Sequence, residues 1–221
     1  TTPQWSDHHL LTTLGWQIGE EATYALEGAI FSAGASVEWL VNLGLLRDAA
    51  EAAELAATLP DNAGVYLVPA FAGLGAPQWD PAARGTLLGL SRGTTRAQLA
   101  RAALEGMAFQ SDEVLQAMQA DSGLALAELR VDGGASQNDL LMQFQADLSA
   151  TNILRPANVE STAWGAAAMA GLAEGVFSGL DDLAAIYQPQ RRFEPAMPAH
   201  RRQALRRRWQ AAVERSLQWA E

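Results

Sequence analysis

The sequence has no cysteine and no lysine among its 221 residues. Without cysteine, disulfide bonds, thiolate metal sites and a cysteine nucleophile are excluded. All 15 basic residues are arginine. No lysine is therefore present to bind phosphate as in a P-loop or to form a Schiff base with a carbonyl substrate.

Long apolar runs and an excess of positive charge are also missing. No run approaches the ~18 apolar residues of a membrane-spanning helix, and the first residues lack the basic and apolar regions of a secretory signal. We therefore expect a cytoplasmic protein without a membrane span. The net charge of −10 disfavours a nucleic-acid partner, since backbone phosphates require a basic surface. The chain starts at Thr1 and enters a strand pattern almost at once, which predicts that a preceding segment has been removed.

What remains is an alternation of strand and helix patterns with enough apolar residues, 49%, for a sizeable core. Residues 9–16 and 23–26 predict a β-hairpin, and residues 96–120 predict a long helix. Further predicted strands and helices occupy residues 65–69, 86–90, 129–132, 138–149, 152–155, 162–171 and 180–186. This order predicts one α/β domain over residues 1–221, with a mixed sheet that starts at the hairpin and helices on both faces.

The stretch from Leu129 to Asn138 is the strongest local indication of a binding site. An apolar strand ends at Gly133 and Gly134, and a helical pattern begins at Asn138. Glycine at a strand end allows a ligand to approach the backbone, and the first N–H groups of a helix attract phosphate or polar nucleotide atoms. The alternative is an ordinary strand-to-helix turn in which Asp132 or Ser136 caps the helix.

Two more segments carry open alternatives. Gly34 is predicted inside a helix over residues 30–43, either for close packing or because a ligand lies against the helix, with Glu38 one turn further on the same face. The Gly/Pro-rich loop over residues 70–85 has the length of a functional loop. Its Asp80, followed by proline, is interpreted first as the start of a turn.

Six stretches together resemble the C-terminal domain of the FGGY carbohydrate kinases. They are residues 24–29, 33–36, 68–81 with 83–85, 118–123, 129–135 and 141–147. The tract 69–85 is the most specific of them, since it resembles the glycerol kinases within the family rather than a general sugar kinase. The resemblance covers roughly residues 9–220.

The resemblance implies an actin-like ATPase fold, related to ribonuclease H, that supplies the adenosine contacts of a two-domain kinase. On it, Gly34, Glu38, Gly133, Gly134 and Asn138 are the nucleotide-binding residues. The family often has glutamine where this chain has Glu38, and a carboxylate can still accept a hydrogen bond from a ribose hydroxyl. ATP is the implied cofactor, together with Mg²⁺ bound mainly through the nucleotide and the missing N-terminal part.

The resemblance also implies what this chain does not contain. The catalytic aspartate and most polyol contacts of the family lie upstream of the segment matched by Thr1, so no catalytic residue and no metal ligand is expected here. We expect the chain alone to bind nucleotide without transferring a phosphoryl group. The whole enzyme, expected to be a homo-oligomer, would phosphorylate glycerol. The alternatives are another polyol or sugar kinase of the family, or a non-catalytic actin-like nucleotide-binding module.

Overall fold

The computed structural model describes residues 2–220, which contain both strands and helices. The strands are β1 (Leu11–Ile18), β2 (Glu21–Glu27), β3 (Tyr66–Val68), β4 (Thr86–Leu88), β5 (Glu128–Arg130), β6 (Asn152–Pro156) and β7 (Pro189–Phe193). The α-helices are α1 (Ala35–Asn42), α2 (Ala49–Ala57), α3 (Arg96–Ser122), α4 (Asp139–Ser149), α5 (Ser161–Ala173), α6 (Leu180–Ile186) and α7 (Ala199–Glu214). A 3₁₀ helix, Gly134–Gln137, precedes α4.

The chain divides into two compact units. The first, Thr1–Ala125 with Met197–Glu221, is built around α3, which packs against α1, α2 and β3. A capping box fixes the start of α3, because the Thr95 side chain accepts from the Ala97 N–H and Gln98 accepts from the Thr95 N–H at 2.9 Å. The helix ends at Gly123, whose left-handed backbone (φ 65°) suits glycine.

The core of the first unit accommodates charged groups of α3 by pairing them. Arg206 of α7 donates to both carboxylate oxygens of Asp112, at 2.8 and 2.7 Å. Glu105 accepts from Arg101 at 2.6 Å. Because a buried charge without a partner is very costly, these pairs are a condition for burying α3. Beside these pairs, Phe109 stacks on Trp209, with ring centroids 4.9 Å apart.

The second unit, Leu126–Ala196, contains a mixed three-stranded sheet. Strand β5 pairs parallel with β6, and β6 pairs antiparallel with β7. Helix α4 packs on β6 and β7 and buries Leu141, Phe144 and Leu148. The parallel pair β5 and β6 is connected through α4, which is the usual crossover between parallel strands.

The sequence-based topology needs two corrections. The hairpin β1–β2 forms a sheet of its own instead of starting the mixed sheet, and β3 and β4 form another, because β1 pairs with β2 and β3 pairs with β4. The sequence after residue 186, with Pro189, Pro195 and Pro198, favours a proline-interrupted connection, but the structure forms strand β7 there. Its Pro189 stands at the first position of the strand, where proline is tolerated.

A search of the helices within residues 2–220 finds none with the length and apolar character needed to cross a membrane.

Candidate functional site

The turn after β5 requires glycine at its first position. Gly133 has φ 75° and ψ 174°, a backbone conformation that residues with a Cβ rarely adopt. Its N–H donates to the Val159 carbonyl at 2.9 Å, and its carbonyl accepts from the Ser136 N–H at 3.1 Å and from the Ser136 hydroxyl at 2.7 Å. The turn is therefore held from both sides in one conformation.

The start of α4 differs from the prediction, because a short 3₁₀ helix precedes it. The glycine pair leads into the 3₁₀ helix Gly134–Gln137 and not directly into α4. Asn138 caps α4, since its side-chain oxygen accepts from the Leu141 N–H at 3.1 Å. The prediction that Asp132 or Ser136 caps this helix is wrong, because the hydroxyl of Ser136 closes the turn instead. The Nδ2 group of Asn138 is not used by the cap, and it is a donor suited to a ligand.

Gly134 has no structural reason for being glycine in this chain. Its φ is not in the left-handed region, and a Cβ built on it would meet no atom within 4 Å. The residue is exposed. By contrast, a Cβ at Gly89 would lie 1.9 Å from the Gly64 carbonyl oxygen, so packing alone explains that glycine. Open space at Gly134 is what a ligand pressed against the backbone would require.

Gly34 is the N-cap of α1 and does not lie inside the helix as predicted. The helix begins later because the Ser36 and Val37 N–H groups are the first to find turn acceptors, at Ala33 and Gly34. A Cβ on Gly34 would also meet no atom within 4 Å, which contradicts the close-packing alternative. The exposed Glu38 follows one turn later, with its N–H 3.2 Å from the Gly34 carbonyl oxygen.

Arg155 is the site residue that the sequence did not reveal. It lies on β6 with 9% of its surface exposed, and its Nη1 donates to the Ser136 carbonyl and to the Asp139 carboxylate, both at 2.9 Å. Arg191 of β7 contacts the other oxygen of Asp139. The available signal was an arginine directly after the apolar Ile153 and Leu154 of a short strand.

The loop over residues 70–85 is held by its own aspartate. The Asp80 carboxylate accepts from the Ala82 N–H at 2.8 Å and from the Gln218 N–H at 2.7 Å. The hydrogen bond from the Gln218 backbone, more than any other contact, holds the pKa of Asp80 below its usual value. The turn interpretation of Asp80 is confirmed.

The predicted nucleotide-binding residues belong to both compact units. Gly34 and Glu38 lie in the first, and Gly133, Gly134 and Asn138 lie in the second. That they form one pocket stays a prediction. Among residues 2–220, no group of three or more His, Cys, Asp or Glu side chains is arranged to hold a metal ion.

Three comparisons identify what this chain is similar to. The model of the FGGY family of carbohydrate kinases, C-terminal domain, matches residues 1–174. The chain is 58% identical over 219 residues to the glycerol kinase of Dechloromonas aromatica, which covers 99% of this chain and 44% of that protein. It is 54% identical over 217 residues to the glycerol kinase of Deinococcus radiodurans, covering 98% of this chain and 43% of that protein.

Solved structures agree with the sequence relatives. The crystal structure of Plasmodium falciparum glycerol kinase with ADP matches with a TM-score of 0.89 at 35% identity, covering 98% of this chain and 44% of that one. The xylulose kinase of Rhodospirillum rubrum matches with a TM-score of 0.75 at 29% identity, covering 93% and 42%. The chain thus spans less than half the length of these relatives.

The predicted fold class is confirmed, since the structural neighbours are FGGY kinases with the actin-like ATPase fold. The family model, the relatives and the folded structure agree with the resemblance of the motifs in residues 24–147. The chain belongs to the FGGY family of carbohydrate kinases and corresponds to its C-terminal domain.

Proposed function

We propose that this chain is the nucleotide-binding C-terminal domain of an ATP-dependent glycerol kinase, which converts glycerol and ATP to glycerol 3-phosphate and ADP. The observation that carries the proposal is the turn at Gly133–Asn138, where an exposed glycine leaves open space beside the backbone. The similar proteins indicate the substrate class, because they include glycerol kinases, one of them solved with ADP.

In the proposed site, each residue has a distinct task toward the nucleotide. The missing Cβ of Gly134 and of Gly34 lets the adenosine approach the backbone. The Nδ2 group of Asn138 is a donor for an acceptor atom of the nucleotide, and the Glu38 carboxylate is an acceptor for a ribose hydroxyl. ATP supplies the phosphoryl group, and Mg²⁺ is proposed to be held mainly through the nucleotide.

The chemistry itself is proposed to lie outside this chain. Phosphoryl transfer to a hydroxyl requires a base beside the attacking oxygen and donors on the transferring group. We expect none of the residues here to act as that base, so the chain alone should not phosphorylate glycerol. Domain closure in the whole enzyme would exclude water from the reaction. A cytoplasmic location and homo-oligomerisation of the whole enzyme stay predictions.

The decisive experiment is calorimetric titration of the chain with ATP and ADP. It uses variants whose effect on folding stability follows from the structure. Gly134→Ala should weaken nucleotide binding without destabilising the fold, because its Cβ would occupy open space. Asn138→Ala should also weaken binding, and it should cost about 1 kcal/mol of stability through the lost cap.

Helix α2 provides the control for the Asn138 variant. Asp48 caps α2 by accepting from the Glu51 N–H at 2.8 Å, in the same way that Asn138 caps α4. Asp48→Ala should lower stability by a similar amount and leave nucleotide affinity unchanged. Equal nucleotide affinity of the wild type, Gly134→Ala and Asn138→Ala would remove the turn from the site.

A second candidate keeps the family and changes the substrate, because a xylulose kinase shares the fold at 29% identity. Assays of the whole enzyme with glycerol, xylulose and gluconate separate these possibilities. Inactivity toward glycerol would contradict the first choice. A non-catalytic nucleotide-binding module would be favoured if the coding frame started at Thr1 with its own initiation signal.

A further inference from the structure

The Arg155 side chain connects the second strand of the mixed sheet to the turn that bears the candidate site. Its Nη1 lies 2.9 Å from the Ser136 carbonyl oxygen, inside the 3₁₀ helix, and 2.9 Å from Asp139 Oδ1 at the first position of α4. Ser136 is 2% exposed, so water has little access to its carbonyl group. The guanidinium thus satisfies a buried acceptor and fixes both elements that flank Asn138.

This arrangement is a poor way to gain stability. The Nε atom of Arg155 is buried and has no hydrogen-bond partner among the residues that the structure describes. An unsatisfied buried donor costs about 1–3 kcal/mol. The ion pair with Asp139 adds little stability, because that carboxylate is half exposed and exposed ion pairs contribute about 0–1 kcal/mol. The contribution of Arg155 therefore lies in the conformation that it gives to the turn before α4.

Arg191 also contacts Asp139, so a comparison of the two arginines separates the contacts that they share from the one that Arg155 makes to Ser136. Arg191 pairs with Asp139 Oδ2 from β7 and is half exposed. Both guanidinium groups lie beside the Phe193 ring, at 5.5 Å for Arg155 and 4.8 Å for Arg191. The hydrogen bond to Ser136 is made by Arg155. Loss of Arg155 would therefore leave Asp139 paired with Arg191, while the Ser136 carbonyl would lose its charged donor.

We propose that Arg155 is a positioning residue, which holds the turn Gly133–Asn138 in the conformation that binds nucleotide. The inference rests on the proposed function, since it assigns a role toward the same site. A turn freed from Arg155 would rotate the Ser136 carbonyl toward another donor and displace Gly134 and Asn138. Binding of nucleotide would then require the turn to be ordered again, which reduces affinity.

The test compares Arg155→Met, Arg155→Lys and Arg191→Met in the whole chain, with ADP as the probe in calorimetry. Arg155→Met should bind ADP roughly tenfold more weakly, by analogy with metal sites, where removing a partner that orients a ligand costs about 10–100-fold in affinity. Arg155→Lys keeps one charged donor for Ser136 and should recover part of the affinity. Arg191→Met should stay within about twofold of the wild type, because its partner retains Arg155.

Two further measurements separate positioning from general destabilisation. Arg155→Met should unfold at a lower urea concentration than Arg191→Met, because it removes the donor of the buried Ser136 carbonyl, yet both variants should be folded in the absence of urea. Amide resonances in NMR spectra should move at residues 133–139 in the Arg155 variants. If Arg155→Met does not fold, the affinity of Arg155→Lys decides. Wild-type affinity for ADP in the folded Arg155 variants would overturn this inference alone. Absence of ADP binding by the wild type would overturn the proposed function as well.

Discussion

Helices α3 and α5 show opposite relations between composition and burial. Helix α3 carries six charged residues, yet most of its length is buried. Helix α5 has the sequence STAWGAAAMAGLA, without a charged residue, yet only Ala168 is buried. An all-round apolar helix is ordinarily buried. The comparison therefore shows that whether a helix is buried depends more on the partners available to it than on its own composition.

Two charged residues of α3 are buried, Glu105 and Asp112, and each has an arginine partner. Arg206 of α7 forks onto Asp112, and Arg101 caps the end of α2 by donating to the Ala56 and Leu59 carbonyls at 3.1 and 2.9 Å. In α5, Trp164 meets Phe177 edge to face with centroids 6.2 Å apart and remains 38% exposed. The comparison can be tested by removing equivalent groups from each helix.

The largest effect should come from the aromatic stack on α3. Phe109 and Trp209 are each 1% exposed, so Phe109→Ala should remove about 3–5 kcal/mol of stability by lost transfer energy and cavity formation. Trp164→Ala on α5 is the control and should cost less than about 1.5 kcal/mol, since an exposed aromatic pair contributes little. Urea unfolding measures both. Equal losses would contradict the difference between the two helices.

Removal of the cation that pairs with Asp112 should have the next largest effect. Arg206→Met leaves a carboxylate with 2% of its side chain exposed, and the expected loss at pH 8 is about 3 kcal/mol. Burial, opposed by the Arg206 hydrogen bond, raises the pKa of Asp112, so the variant can relieve its loss by binding a proton at low pH. Its deficit should shrink between pH 8 and pH 4 in urea titrations. Arg207→Met, at an exposed neighbour, should show no such trend.

A pH effect of intermediate size is expected from Glu113 of α3. Burial raises the pKa of Glu113 to about 7, against an ordinary value of 4.5, while Gln78 donates to Oε1 at 3.2 Å. The stability from this group is complete below pH 4.5 and is lost as the pH rises through 7, by about 3 kcal/mol.

Glu113→Gln should remove this loss and be the more stable protein at pH 8. The control is Glu54→Gln on α2, where the carboxylate is exposed and the pH profile of unfolding should match that of the wild type. Parallel profiles for the wild type and Glu113→Gln would show that the carboxylate titrates as in the unfolded chain.

The smallest effect on folding, with a larger one on association, should come from Met169 of α5. This side chain is 44% exposed, so Met169→Lys should change stability by less than about 0.5 kcal/mol. Exposed apolar surface promotes association, and light scattering at rising concentration should show less of it for the variant. Gln203→Lys adds the same charge to an exposed position of α7. If both variants associate equally, charge alone explains the result.

The sequence predicted those features that depend on neighbours along the chain. The hairpin β1–β2, the long helix α3 and the glycine turn after β5 agree with the structure to within a few residues. Periodicity and turn chemistry act over a few positions, and so does the backbone conformation that Gly133 requires. The motifs of residues 24–147 also indicated the family, because its signature lies in local stretches.

Tertiary structure decided the features that depend on residues far apart in sequence. Arg155 meets Ser136 across 19 residues, and Arg206 meets Asp112 across 94. The pairing of β7 with β6 is a further case, because a strand with proline and two arginines suits a sheet edge, but its own sequence does not show which strand it joins. No local pattern shows which acceptor an arginine side chain will contact, or whether an apolar helix such as α5 will be covered by another element. Both depend on which distant segments of the chain lie next to each other in the folded structure.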